Sequence, residues 1–196
     1  ELGIHSLDVF NLVVPDLRQA EDFYKSFGLD VREQGNTLGL YTFGSEQRWA
    51  SVSEGTRKQL NFLSFAAFEE DFEAMKRRAE AEGVRLLDPP RGFDSNGIWF
   101  RDHNGVLIEI KVAARSAPVE KTSFDMTSGP AGVAAAPRRS QAGKVKPRRL
   151  AHVLVFTTDV PKAIDYYREG LAEYPSNSLA WTLLAGAYLM NNQRAE

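Results

Sequence analysis

The chain has 196 residues, of which 43% are hydrophobic and 26% charged, with a net charge of -2 at pH 7. This is the profile of a globular chain with apolar residues for one sizeable core and part of another, and with no overall field to draw in nucleic acid or an anionic membrane. The lack of cysteine excludes disulfides, thiolate metal sites and a cysteine nucleophile, and three histidines oblige any transition-metal site to lean on carboxylates. No apolar run reaches membrane-spanning length and the N-terminus lacks a signal-peptide pattern, so a cytoplasmic location is the expectation.

One stretch occurs twice. Leu7 to Gly28 reads LDVFNLVVPDLRQAEDFYKSFG, and Leu150 to Gly170 reads LAHVLVFTTDVPKAIDYYREG. Each copy runs from an apolar strand through an Asp (Asp16, Asp159) to a helix carrying an Ala (Ala20, Ala163) and an aromatic pair (Phe23-Tyr24, Tyr166-Tyr167). A strand-helix opening repeated at this distance predicts two related domains.

In chain order, residues 7–14 form the first predicted strand. Asp16 is the predicted N-cap of the helix that follows, with Gln19 at the capping-box position and Gly28 at its end. Leu29–Glu33, Leu38–Phe43 and Arg48–Ser53 are predicted strands joined by turns at Gln34-Gly35-Asn36 and Gly44-Ser45-Glu46. The unit then recurs. Leu60–Ala67 is a strand, and Phe68–Glu82 a helix whose apolar face is Phe68, Phe72, Met75 and Ala79. Val84–Leu87, Gly97–Arg101 and Val106–Val112 complete it, with Asp102-His103-Asn104-Gly105 as the last tight turn. Residues 1–112 are therefore two βαβββ units in tandem, an α+β fold curling into a half-open barrel.

Residues 113–148 are rich in Ala, Pro, Gly and Ser, and the basic cluster Arg138, Arg139, Lys144, Lys146, Arg148 and Arg149 spans their end and the residue that follows. They read as a linker. No aromatic residue interleaves the cluster to stack on bases, so no nucleic-acid partner is expected. Residues 149–171 open a second domain.

Tandem βαβββ units with this opening resemble the vicinal oxygen chelate superfamily, which includes glyoxalase I and the bleomycin-resistance proteins. Asp102-His103-Asn104-Gly105-Val106-Leu107-Ile108-Glu109 and Leu150-Ala151-His152-Val153 look most like the two-domain extradiol ring-cleaving dioxygenases. The resemblance implies Fe(II) held by two imidazoles and a carboxylate, leaving open positions for a catecholate and O₂. It implies ligands on the opening strand of each unit and on the last strand of the second. In the first domain those positions read Val9, then Asn61 or Phe62, then Glu109: one carboxylate without partners. In the second domain His152 takes the first ligand position, but after Gly170 there is no His and the only side-chain carboxylates are Glu173 and Glu196. Glu109 and His152 are thus the candidate metal residues, and the triad is incomplete. His103 reads as a solvent-exposed turn residue, and His5 precedes the first strand with no visible partner.

The tail follows another pattern. Ala163, Tyr167 and Pro175 are spaced as in the second helix of a tetratricopeptide repeat, and Trp181, Leu184, Ala185 and Tyr188 as in the first helix of the next. The sequence thus reads as a chimera, with a helical hairpin over 172–196 after an oxygen-chelate protein. One and a half repeats cannot bury such apolar helices alone, so homo-oligomerisation through this tail is expected. Three functions follow. The first is a ring-cleaving dioxygenase by ancestry, inactive as this chain. The second is a metal-free binder of small aromatic molecules, its cavity lined by Phe10, Tyr41, Phe43, Trp49, Phe62, Phe65, Trp99 and Phe100. The third is a protein-interaction module built on the tail.

Overall fold

The computed structural model describes residues 3–119, 132, 146–150, 153 and 156–173. Within them the chain forms β1 (Ile4–Val14), α1 (Leu17–Phe27), β2 (Asp30–Gln34), β3 (Thr37–Tyr41) and β4 (Arg48–Glu54). The second unit is β5 (Gln59–Ala67), α2 (Glu69–Ala81), β6 (Ile98–Arg101) and β7 (Leu107–Val112), and α3 (Val160–Glu173) stands apart in sequence. All seven strands join one open mixed sheet in the order β2-β3-β4-β1-β5-β7-β6. The fold is α+β.

The tandem repeat is visible in the pairing. β1 lies parallel to β4, which continues antiparallel to β3 and β2; β5 lies parallel to β7, which continues antiparallel to β6. The two opening strands meet antiparallel in mid-sheet, with three register shifts along β1. The predicted strand Val84–Leu87 does not form. It contributes one bridge, Leu87 to Trp99, because Pro89 and Pro90, just beyond Asp88, carry no N–H to extend a ladder.

α1 ends as the sequence predicts. The Asp16 carboxylate accepts from the Gln19 backbone N–H at 2.9 Å, and Gly28 takes the left-handed conformation (φ 100°) that closes the helix onto the carbonyls of Tyr24 and Lys25. Ala20 lets α1 approach the sheet and pack on Leu38, Leu40, Ala50 and Val52. In α2, Phe72, Met75 and Ala79 are half-buried and no residue is fully buried. Phe68 does not join their stripe. It is the N-cap, 45% exposed and without a side-chain cap bond, and its ring lies 4.4 Å from that of His5.

Candidate functional site

Register decides what shares a face. Phe10 pairs with Ala50 and with Leu63, so these residues stand on the side that carries α1. On the opposite side Val9 pairs with Ser64, Ser64 with Glu109, and Glu109 with Trp99. One row thus crosses four strands as Val9, Ser64, Glu109 and Trp99. By pairing, Ser64 stands between Val9 and Glu109, while Phe62 packs with Val9 and Trp99 on the same face.

Glu109 is 2% exposed. Its Oε1 accepts a hydrogen bond from Ser95 Oγ, which itself accepts from the Gly97 backbone N–H at 3.1 Å. Gly97 has no room for a side chain: a Cβ there would stand 2.8 Å from Glu109 Cγ and 3.0 Å from the Ile110 carbonyl oxygen. Below this loop, Val9, Phe62, Trp99 and Leu107 form a buried cluster against which Leu87 and Phe93 pack. Phe62 meets both Phe93 (4.9 Å) and Trp99 (5.1 Å) edge to face.

Part of the aromatic set expected to line one cavity is dispersed. Phe62 and Trp99 are packed by the chain's own loop. Phe10, Phe65 and Phe100 belong by register to the α1 side, and Phe43 is 45% exposed under the Lys146 ammonium.

A second polar group lies where the two units join. Asn11, fully buried, donates through Nδ2 to Ser51 Oγ (2.9 Å), the Ser51 carbonyl (3.2 Å) and Ser53 Oγ (3.1 Å), and its Oδ1 accepts from Asn61 Nδ2 (2.9 Å). These bonds tie β1 to β4 and β5 with both ends of the Asn11 amide engaged, which fixes the junction without offering a reactive group. The sequence signal for it was a lone Asn within the apolar run of β1.

The other predicted residues lie elsewhere. His103 is half-buried, not solvent-exposed, with its ring stacked 4.4 Å from Tyr166 of α3. The Tyr166 phenol is held above its ordinary pKa by burial and then by the Asp102 carboxylate. His5 has partners, with Nδ1 2.9 Å from Ser6 Oγ and its ring against Phe68. His152 and the tail residues Trp181, Leu184, Ala185 and Tyr188 lie outside the described residues. Among the described residues no three His, Asp or Glu side chains converge as metal ligands. Glu109 stands between a valine, a serine and a tryptophan, a donor set that does not fit Fe(II). No described helix is long and apolar enough to cross a membrane.

Comparison with known proteins gives these geometries a context. Residues 6–110 match the Glyoxalase/Bleomycin resistance protein/Dioxygenase superfamily. Metapyrocatechase 2 of Cupriavidus necator is 41% identical over 170 residues, covering 86% of this chain and 52% of that protein. The chain thus spans about half the length of this curated relative. Among solved structures, the Mn(II)-bound glyoxalase from Novosphingobium aromaticivorans is similar with a TM-score of 0.48 and 19% identity, over 56% of this chain and 39% of that one. An extradiol ring-cleaving dioxygenase from B. fuscum is similar with a TM-score of 0.49 and 23% identity, over 57% and 33% respectively.

Proposed function

Because the chain belongs to the Glyoxalase/Bleomycin resistance protein/Dioxygenase superfamily, we propose that it is a relative of the extradiol, catechol-cleaving dioxygenases whose first domain is a metal-free scaffold. The identity to Metapyrocatechase 2 carries this reading. An alignment over 170 of 196 residues necessarily takes in position 152 and most of α3, well beyond the superfamily match, so the likeness extends to the repeated strand-helix opening.

In this reading Fe(II), when bound, supplies open coordination positions for a catecholate and O₂. The first domain contributes no ligand set to it. Ser64 and Val9 offer neither imidazole nor carboxylate beside Glu109, and Ser95 already engages that carboxylate. What these residues do is close the sheet face: Phe93, Leu87 and the Ser95–Gly97 loop shield the row where Glu109 stands from bulk solvent. His152 is the one candidate imidazole beyond the first domain, and the 196 residues supply no second one after it. Ring cleavage by these 196 residues alone is therefore not expected.

An anaerobic Fe(II) titration, followed by a simple catechol and air, tests the proposal. The expected result is no stoichiometric iron and no coloured cleavage product. One tightly held iron per chain, lost in His152→Ala and accompanied by product, would overturn the inactivity. Iron held tightly but lost in Glu109→Gln would overturn the scaffold role of the first domain.

A further inference from the structure

Among the described residues, two buried polar atoms on the face opposite α1 have no hydrogen-bond partner: Ser64 Oγ and Trp99 Nε1. Their residues are 0% and 1% exposed. They do not lie at random, since Ser64 and Trp99 are the two cross-strand neighbours of Glu109. A buried carboxylic residue is thus flanked by a serine and a tryptophan whose polar atoms lack partners, and among the described residues the bond that its carboxylate makes is the one from Ser95.

The donors and acceptors say what belongs between them. An indole N–H only donates, a carboxylate only accepts, and a serine hydroxyl does both. One molecule that accepts once and donates twice completes the row, taking the Trp99 proton and giving its own to Glu109 and Ser64. Water does this, and internal waters characteristically make about three such bonds to polar groups that lack partners. A divalent cation does not. It would face the positive end of the indole N–H, it would find one carboxylate already engaged by Ser95, and Val9 completes the row with no donor atom.

We infer that Ser64 Oγ and Trp99 Nε1 are joined to the Glu109 carboxylate by internal water, making this row a hydration site inside the first domain and not a cation site. The inference rests on the orphaned atoms and the register alone, and it stands whether or not the chain has dioxygenase ancestry.

The full chain labelled with ¹⁵N gives indole signals for Trp49, Trp99 and Trp181, and Trp99 is identified by sequential assignment or by its loss in Trp99→Phe. The Trp99 indole proton should show a nuclear Overhauser effect to water with the sign of a long-lived contact. Trp49, which donates to Thr42 Oγ1, is the internal control. The effect should persist in Ser64→Ala with the signal shifted, because relay through the serine hydroxyl would disappear there. One equivalent of Mn(II) should leave the signal sharp. Loss of the effect in Ser64→Ala, its absence from the unmodified chain, or Mn(II) broadening abolished by Glu109→Gln would each overturn the inference. A crystal structure needs no variant: an ordered water within hydrogen-bond reach of Trp99 Nε1 supports it, and clear density without one refutes it.

Discussion

The two units share one pairing plan, but they stabilise it differently. In the first, four full strands lie under α1, whose Ala20 is buried in a cluster of aliphatic side chains. In the second, the strand matching β2 shrinks to the single Leu87–Trp99 bridge, α2 buries no residue completely, and the fully buried cluster lies on the other face of the sheet. A duplicated topology therefore does not require a duplicated core. Once the sheet is continuous through β1 and β5, the second unit can take its stability from a loop folded over the sheet face.

The largest effect should come from breaking the helix-side core of the first unit. Leu40→Ala removes a side chain 2% exposed and should cost about 3 kcal/mol in urea unfolding. Phe72→Ala in the half-buried stripe of α2 should cost roughly half of that despite removing more atoms, because solvent already reaches the site. Equal losses would contradict the asymmetry.

A pair of glycines sharpens the same contrast. At Gly97 a methyl group meets the Glu109 side chain and the Ile110 backbone, neither of which can retreat, so Gly97→Ala should destabilise by about 2 kcal/mol. At Gly39 in β3 the new atom meets the ring edge of Tyr41 at 2.7 Å and the end of the exposed Gln34 side chain at 3.1 Å. Gln34 must give up its bonds with Tyr41 and Arg48 to swing away and the ring is buried, but no backbone atom is met, so Gly39→Ala should cost about 1 kcal/mol, less than Gly97→Ala. Thermal midpoints of the two variants decide it.

The helix caps come next. Asp16→Ala removes the bond to the Gln19 N–H and should cost about 1 kcal/mol. Phe68→Ser gives α2 the side-chain acceptor that it lacks, offset in part by the lost contact with His5, for a net gain of about 0.5 kcal/mol. If Phe68→Ser destabilises, the His5–Phe68 contact contributes more than a cap does.

How far the sequence reveals this molecule follows from the range of each signal. Asp16, Gly28 and the turn at Gly35 act over a few residues, and the first helix and hairpin are correspondingly legible. Glu109 was visible as an acid at the end of an apolar strand, and the structure buries it. Its neighbours were not visible, because Ser64 reaches the row only through the pairing of strands far apart in the chain, and Ser95 only through a loop fold. The strand over Val84–Leu87 failed for a local reason that could have been read, the two prolines after Asp88. The expectations for His152 and for the helical hairpin lie outside the described residues.

The smallest predicted effect is a pH dependence that belongs to the first unit's core. Tyr24 packs against the aliphatic cluster under α1, and burial raises its phenol above the ordinary value near 10. A raised value means that the folded chain holds the proton more tightly than the unfolded chain. The associated stability is therefore fully present below pH 10 and lost as pH rises through the folded value. Tyr24→Phe removes that loss while keeping the ring, so its unfolding free energy should fall less steeply above pH 10 than that of the unmodified chain. Tyr166, also raised and stacked on His103, titrates in the same range, so Tyr166→Phe is the matched control. A steeper response to Tyr166→Phe than to Tyr24→Phe would place the alkaline sensitivity at the contact between α3 and the Asp102–Gly105 turn, outside the core of the first unit.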